Sequence, residues 1–320
     1  MRAIASYILR GPIQAIMVSA ISSVMSLIFP PLAHVSGASV ALVTLRKGLK
    51  DGMLVLAVSG LILGLMLWLI GAISSIDSAM VKIYMLAMIL VWWLPAGMTA
   101  TILRYTRSPG FTLLALGLLC GAAMTVSYLV IGDMSGWWRE MLPAMLQPMY
   151  EATNFGLTKE ELGQLIDGMS NVMTGFMFAT IIYLTMINLF IARWLQSILF
   201  NPGGFRDEFH ALKLDRRLAI ILLIISAVSA LTSGNLANYS FNLLILVMTL
   251  YSLQGLAIVY AVIAATGAHT GWLIALYIMM FFALPYAMLV LSITGFSDNW
   301  LDIRARVKKG GSSGPDNIGS

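Results

Sequence analysis

The sequence predicts an all-α fold, a polytopic transmembrane helical bundle of about eight spans, with nine as the alternative. Of the 320 residues, 59% are hydrophobic and only 10% are charged, whereas about 25% are charged in an ordinary soluble domain. The apolar residues also lie in long runs without charge, which is typical of helices whose solvent is lipid. These two observations exclude a water-soluble globular protein.

The runs without charge define the predicted spans. A charge at the bilayer centre costs at least about 2.5 kcal/mol, and about 20 helical residues cross the hydrocarbon core. Spans are therefore expected inside uninterrupted runs. The runs cover residues 11–45, 52–76, 83–103, 108–132, 168–192 and 218–297.

The first run is longer than one span and contains Pro30 and Pro31, which a helix interior does not accommodate. It therefore divides into a span at 12–29 and a short segment at 32–45. That segment is either a tilted short helix or a re-entrant piece shielded by protein.

The last run divides into three pieces at its Gly-containing breaks: 218–236, 239–266 and 272–295. Three crossings would place the basic C-terminus outside the cell. Either one piece does not cross fully, or the chain folds back around 251–255, or the terminus is an exception. An even number of spans with a cytoplasmic C-terminus is favoured, which gives eight.

Lysine and arginine indicate the orientation, because they are retained in cytoplasmic loops. They collect near both termini, at 46–50, at 104–107 and in the loop 193–217, which are all expected in the cytoplasm. This pattern predicts a multi-pass protein of the bacterial inner membrane with a cytoplasmic N-terminus. The loop 133–167 carries six acidic residues against two basic ones, so it is expected outside. Residues 1–309 form one predicted membrane domain, and the Gly/Ser-rich residues 310–320 form a disordered tail.

The predicted outer loop contains two amphipathic segments. Thr158 and Glu161 have the spacing of a capping box, with Leu157 and Leu162 in the positions of a hydrophobic staple, so a helix should start at Thr158. An amphipathic segment at 137–149 is expected to be interrupted by Pro143 and Pro148. It is either an interfacial anchor or a lid over an outward-facing cavity.

The residue types and motifs that enzymes use argue against a catalytic function. Hydrolase and phosphate-loop motifs are absent, Cys120 is the single cysteine, and the three histidines lie far apart. None of the predicted spans contains Asp or Glu, which argues against a proton-coupled exchanger. We therefore expect no enzyme, no metal site and no cofactor, and the scattered basic residues predict no nucleic-acid partner.

Some of the uncharged polar residues within the spans, which also include Asn188, Asn235, Asn238 and His269, are the candidate binding residues. They are His34, Asn171, Asn242 and Gln254, with Trp92 or Trp93. One interpretation is that they hydrogen-bond between helices. The other is that they line a pocket for a neutral or amphiphilic ligand.

Two segments resemble a known family. The segment 201–214, and Leu284-Pro285 together with 298–304, are similar to the YybS-like family of bacterial inner-membrane proteins. That family more remotely resembles the S-components of energy-coupling-factor transporters and the MreD-type envelope proteins. The S-component resemblance implies an S-component-like core, a small-molecule pocket near the outer face, and docking of a membrane protein partner on the small residues Ala15, Ser19 and Ser23 of the first span.

Two functions follow as expectations. The first is a protein without enzymatic activity that binds a small or lipid-like solute and assists its transport. The second is a scaffold or partner-binding membrane protein in cell-envelope assembly, and membrane lipids are partners in both cases. A binder should show a cavity lined by the polar residues, whereas a scaffold should have them paired and should expose an apolar groove.

Overall fold

A computed structural model describes residues 1–73, 78–153, 158–269 and 271–311, and every regular element in these ranges is helical. The predicted all-α class is thereby confirmed for this part of the chain. The helices are α1 (Arg2–Arg10), α2 (Pro12–Met25), α3 (Leu32–Lys47), α4 (Leu49–Ile73), α5 (Ser78–Ala87), a π-helical segment (Met88–Trp93), α6 (Leu94–Thr106), α7 (Pro109–Ile131), α8 (Met134–Thr153), α9 (Lys159–Phe200), α10 (Gly204–His210), α11 (Arg216–Leu231), α12 (Gly234–Thr266), α13 (Gly271–Phe282), α14 (Leu284–Leu301) and α15 (Ile303–Gly311).

Within the described residues, five helices are long and apolar enough to cross a membrane. Two shorter helices, α2 and α13, are apolar as well. The chain is therefore a membrane protein, while a total of eight crossings stays a prediction. The five candidate spans are Leu49–Leu69, Lys82–Thr106, Pro109–Ile131, Glu160–Phe200 and Gly234–Thr266.

The chain forms two compact units. The first contains Met1–Leu116 and Ile181–Leu212, and the second contains Gly117–Thr180 and Lys213–Ser320. Helices α7 and α9 each contribute residues to both units. Of the predicted tail, Gly310 and Gly311 belong to α15, and residues 312–320 lie outside the described part of the chain.

A short buried helix lies at the core of the first unit. Every residue from Ser36 to Leu45 in α3 is buried, and α3 packs against α2, α4, α6 and the π-helical segment. With 16 residues it is about 24 Å long, less than the thickness of the hydrocarbon core. The predicted break at the two prolines is confirmed, since α2 ends at Met25 and α3 begins at Leu32.

A hydrogen bond joins the π-helical segment to α3 in this unit. Its widened turn includes a hydrogen bond from the Leu94 N–H to the Ile89 carbonyl, directly before Pro95. Trp93 is fully buried, and its indole N–H donates to the Ser36 hydroxyl at 2.8 Å. The π segment thereby ties the chain before α6 to the central helix α3.

The crossing of α12 and α14 organises the second unit. At Gly255, an added Cβ would fall well inside contact distance of the Leu291 carbonyl oxygen, and at Gly295 it would do the same to the Tyr251 carbonyl oxygen. Only glycine permits backbones to approach this closely. The Ser292 hydroxyl also donates to the Met248 carbonyl at 2.6 Å across the same crossing.

Two local predictions need correction. Helix α8 continues through Pro143 and Pro148, and beside Pro143 its apolar face packs on α9 and supports the turn that the proline weakens. The predicted piece 272–295 is two helices, since the chain breaks at Ala283 and α14 begins at Leu284, with Pro285 in its first turn. Asp302 lies at the left-handed break between α14 and α15, and its carboxylate pairs with Lys213 at 3.3 Å.

The capping box predicted at the start of α9 is confirmed. The Thr158 N–H donates to the Glu161 carboxylate at 2.8 Å, and the Glu161 N–H donates to the Thr158 hydroxyl at 3.2 Å. The proposed staple partner Leu157 lies outside the described residues. A helix start can thus be read from four residues, because the groups involved are local in sequence.

Candidate functional site

In the first unit, Asn188 joins two of the predicted binding residues. The His34 Nδ1–H donates to the Asn188 amide oxygen at 2.7 Å. The Asn188 amide nitrogen lies 3.5 Å from the Trp92 carbonyl oxygen. A Cβ at Gly37 would lie 2.9 Å from the Asn188 Cγ, so glycine makes room for this side chain. His34 and Trp92 therefore meet at a buried amide, and the indole N–H of Trp92 has no hydrogen-bond partner in the described structure.

The small residues proposed for partner docking are inside the first unit. Ala15, Ser19 and Ser23 are each 0% exposed. Ser36 donates to the Ser19 carbonyl at 2.8 Å, and the Tyr84 hydroxyl donates to the Ser23 carbonyl at 2.7 Å. An external helix would reach this face only after these contacts opened, so docking there stays a prediction that the observed packing does not favour.

In the second unit, three asparagines form one network between α9 and α12. The buried Asn242 accepts a hydrogen bond from the Gly175 N–H at 2.6 Å and donates to the Asn171 carbonyl at 2.7 Å. Asn238 also donates to the Asn171 carbonyl, at 3.0 Å, and accepts from the Tyr128 hydroxyl at 2.5 Å. The Asn242 amide is thus used in holding the two helices together.

Gln254 has a comparable structural role elsewhere in the second unit. Its amide oxygen accepts from the Leu214 N–H at 2.8 Å, and its nitrogen donates to the Gly295 carbonyl at 2.9 Å. The side chain is 0% exposed. Gln254 therefore fixes the chain before α11 to the crossing of α12 and α14.

The five predicted binding residues thus fall into three places. His34 and Trp92 meet in the first unit, and Asn171 and Asn242 meet in the second. Gln254 lies twelve residues along α12 from Asn242, which is about 18 Å in a helix. Neither unit gathers all five around one cavity.

One of the five, Asn171, lines an open polar cleft of about 610 Å³ in the second unit. The cleft lies where α7 leads into α8 and where α11 leads into α12. It is lined by Asp133, Ser135, Asn171, Val172, Ser229, Gly234, Asn235, Ala237, Asn238 and Phe241. We refer to it below as the amide cleft.

The amide cleft presents hydrogen-bonding groups without a positive side chain. Asn235 is exposed, and its side chain has no hydrogen-bond partner within the described part of the chain. Among the described lining residues none is Lys or Arg, and the one charged group is Asp133. Such a lining suits a neutral or cationic polar group better than an anion.

Asp133 caps the start of α8, and the hydrogen bonds of this cap stabilise its ionised form. The Gly136 N–H and the Ser135 hydroxyl each donate to its carboxylate at 3.0 Å, which caps the start of α8. These two hydrogen bonds, that from Gly136 first, hold the pKa of Asp133 below its usual range. The carboxylate is therefore ionised at neutral pH and contributes a negative charge to the cleft.

The sequence missed most of the amide cleft because its residues come from four separate segments. Asn235 and Asn238 are polar residues beside the Ser233-Gly234 break, and Asp133 and Ser135 follow the end of α7. The sequence did contain one indication of the cleft: the end of the span before Asp133 and the break at Ser233-Gly234 are both expected on the same side of the membrane. Which breaks become neighbours is decided by helix packing, and periodicity carries no information on that.

The amphipathic helix α8 stands directly beside the cleft. Met134, Trp138 and Leu142 on one of its faces pack with Ile166 of α9, and the Trp138 indole N–H donates to the Thr174 hydroxyl at 2.8 Å. Trp137 and Met141, which flank this stripe on the same side of the helix, are exposed. The helix is therefore fixed to α9 and keeps exposed apolar side chains for the membrane interface.

The second unit also contains an apolar groove of about 580 Å³. Within the described structure, none of the α13 residues is buried, so this helix leaves the groove broadly open. The groove runs between α12, α13 and α14 and reaches α15. It is lined by Ile258, Val259, Val262, Ile263, Thr266, Ala268, Trp272, Ala275, Leu276, Met279, Thr294 and Ile303.

Metal-ligating side chains do not cluster in the described ranges, which contain no group of three or more His, Cys, Asp or Glu residues able to hold a metal ion. Cys120 is buried as a free thiol in α7.

Comparison with known proteins identifies a family. A family model described as "Predicted membrane protein (DUF2232)" matches residues 16–299. No curated protein matches the chain. No solved structure matches it either.

Proposed function

Since the chain belongs to the DUF2232 family of predicted membrane proteins, we propose that it is a non-catalytic protein that binds a small polar solute in the amide cleft and assists its transport. The observation that carries the proposal is the cleft itself. Its volume of about 610 Å³ lies within the range of about 300–1,000 Å³ that is typical of small-molecule sites.

The lining chemistry narrows the class of solute. An asparagine amide offers both hydrogen-bond donors and acceptors. Within the described structure, the side-chain amide of Asn235 makes no hydrogen bond, so all of these groups are available to a ligand. The Asp133 carboxylate is the charged group of the lining, so an anionic solute would be repelled. We therefore propose a neutral or amphiphilic solute with hydrogen-bonding groups, either free or as part of a lipid-like molecule.

The proposed topology puts the amide cleft on the outer side of a bacterial inner membrane. Eight spans with both termini in the cytoplasm satisfy the distribution of Lys and Arg, and they leave the acidic region 133–167 outside. A pocket near the outer face is what the remote resemblance of YybS-like proteins to S-components would imply. The cleft begins at Asp133, the first residue of that region.

The test is to identify small molecules that co-purify with the protein. Mass spectrometry of extracts from wild-type protein should detect a bound solute that is depleted at least about tenfold in Asn235→Leu, since a free amide is replaced by an apolar side chain. Gln164→Leu is the matched control, because Gln164 is exposed on α9 and lies outside the cleft. Equal depletion in both variants, or no solute in wild-type protein, would contradict the proposal.

A second candidate function is a scaffold that binds a membrane protein partner in envelope assembly. It is supported by the paired state of Asn242, Gln254 and His34 and by the open apolar groove. A photo-crosslinker at Trp272, an exposed residue that lines the groove, should then capture one defined membrane protein. Capture of lipid alone would argue against this second function.

A further inference from the structure

A second cleft, in the first unit, has the opposite electrostatic character. It has a volume of about 260 Å³ and is lined by Leu45, Leu103, Arg104, Arg107, Arg193, Gln196 and Glu208. Three arginines face one glutamate. We propose that this arginine cleft binds a phosphate group, carried either by the headgroup of an anionic lipid or by a free phosphate ion.

Glu208 does not neutralise the whole cleft, because it is committed to one arginine. Both of its carboxylate oxygens accept hydrogen bonds from Arg193, and Arg193 also donates to the Gln196 side chain at 2.7 Å. Each of the three guanidinium nitrogens of Arg193 therefore already makes a hydrogen bond. This pair forms a wall of the cleft and leaves the charges of Arg104 and Arg107 unbalanced.

Arg104 is held in place by backbone groups that carry no formal charge. Its Nη1 donates to the Leu45 carbonyl at 2.9 Å and lies 3.4 Å from the Thr44 carbonyl, at the C-terminus of α3. Its other two nitrogens make no hydrogen bond in the described structure. A guanidinium has five N–H donors, so Arg104 is oriented by α3 and still has donors for an anion.

Arg107 has no side-chain partner at all within the described residues, and its backbone is unusual. It caps α6 in the left-handed region, with φ of 53°, and its N–H donates to the Leu103 carbonyl at 2.8 Å. Glycine is the ordinary residue at such a cap. An arginine with a strained backbone and a free guanidinium at the edge of a cleft is an outlier of the kind that accompanies ligand binding.

The surroundings suit a phosphate group at a membrane surface. Planar guanidinium groups match the oxygens of phosphate, as they match those of carboxylate, in a bidentate manner. The cleft lies at the end of the candidate span Lys82–Thr106, and Leu45 and Leu103 add an apolar wall beside the charges. Basic pockets between membrane helices on the proposed cytoplasmic side are typical headgroup sites. This proposal is independent of the solute-binding proposal, since it uses other residues in the other unit.

The test compares three variants of the full-length protein purified in a zwitterionic detergent. Arg107→Gln removes the free charge, and Arg107→Gly removes both the charge and the backbone strain. Arg206→Gln is the control, because Arg206 is an exposed arginine of α10 outside the cleft with no side-chain partner in the described structure. Each protein is titrated with inorganic phosphate in one arm and with phosphatidylglycerol in the other, and binding is followed by calorimetry.

In at least one arm, affinity should fall about tenfold in both Arg107 variants and stay unchanged in Arg206→Gln. Arg107→Gly should also melt at a higher temperature than wild type without ligand, which shows that the loss of binding is not a loss of folding. Binding of inorganic phosphate would identify a free phosphate site, and binding of phosphatidylglycerol alone would identify a headgroup site. Equal affinities in wild type and both Arg107 variants, or an equal loss in Arg206→Gln, would overturn the proposal.

Discussion

At the scale of single residues, the buried amides show how a polar group is kept inside an apolar bundle. Asn242 is 0% exposed, and its amide is paired at both ends with backbone groups of α9. Leaving such a group unpaired in a medium without water costs free energy. The sequence identified these residues as polar and intramembrane, but could not distinguish a paired amide from a ligand-binding one, because the difference lies in partners 67 to 71 residues away.

Asn242→Ala should lower the free energy of unfolding by about 1–2 kcal/mol, because the Gly175 N–H loses its acceptor inside the bundle. Equilibrium unfolding in mixed micelles with increasing sodium dodecyl sulfate measures the change. Gln164→Ala, at an exposed position of α9, should change it by less than about 0.5 kcal/mol. An Asn242→Ala protein as stable as the control would show that the amide is not a structural contact.

Asp133 should make the start of α8 sensitive to acid. Its pKa is lowered by hydrogen bonds from Gly136 and Ser135 in the folded protein, so its contribution to stability is complete above the unfolded value of about 3.9. That contribution is lost as the pH falls through the still lower folded pKa. Hydrogen exchange of the Gly136 amide, corrected for its intrinsic rate, should accelerate below about pH 4.

Asp133→Asn is the control for the acid effect, because an amide does not titrate in this range. In this variant, the corrected exchange rate at Gly136 should be independent of pH between the same limits. A wild-type protein with a flat profile would show that the carboxylate does not cap α8.

At the scale of helices, two glycines differ in whether a neighbouring helix lies against them. At Gly255 an added Cβ would collide with backbone atoms of α14, whereas at Gly163 of α9 nothing lies within 4 Å of the added atom. The same substitution should therefore have opposite effects at the two positions.

Gly255→Ala should cost about 1–3 kcal/mol of unfolding free energy, because α12 and α14 must move apart. Gly163→Ala should stabilise the protein by about 0.5–1 kcal/mol through helix propensity. Both values can be measured by the same detergent titration. Two changes of the same sign would contradict the observed crossing.

Helix boundaries show what a sequence can and cannot predict at this scale. The break at Pro30-Pro31 and the start of α9 at Thr158 depend on local chemistry, and both were predicted. The path of α8 through Pro143 depends on Trp138 and Leu142 packing with Ile166. Contacts between helices decided this case, and the sequence pattern of a single helix does not contain them.

At the scale of the whole molecule, composition was sufficient for the fold class and the membrane environment. The charge-free runs predicted the candidate spans, and each of the five spans in the described residues overlaps one of them. The burial of α3 was one of two alternatives for the segment 32–45, whereas the two compact units and both clefts were not predicted. They arise from the choice of neighbours among many similar apolar helices, and the sequence of one helix does not determine that choice.

The proposed topology places the amide cleft on the outside of the membrane and the loop 193–217 in the cytoplasm. It can be tested with single cysteines, Asn235→Cys in the cleft and Arg206→Cys in α10, after Cys120→Ala removes the native thiol. In intact bacteria, a membrane-impermeant maleimide should label position 235 at once and position 206 only after the cells are permeabilised. Labelling of position 206 in intact cells, with position 235 protected, would show that this topology is wrong.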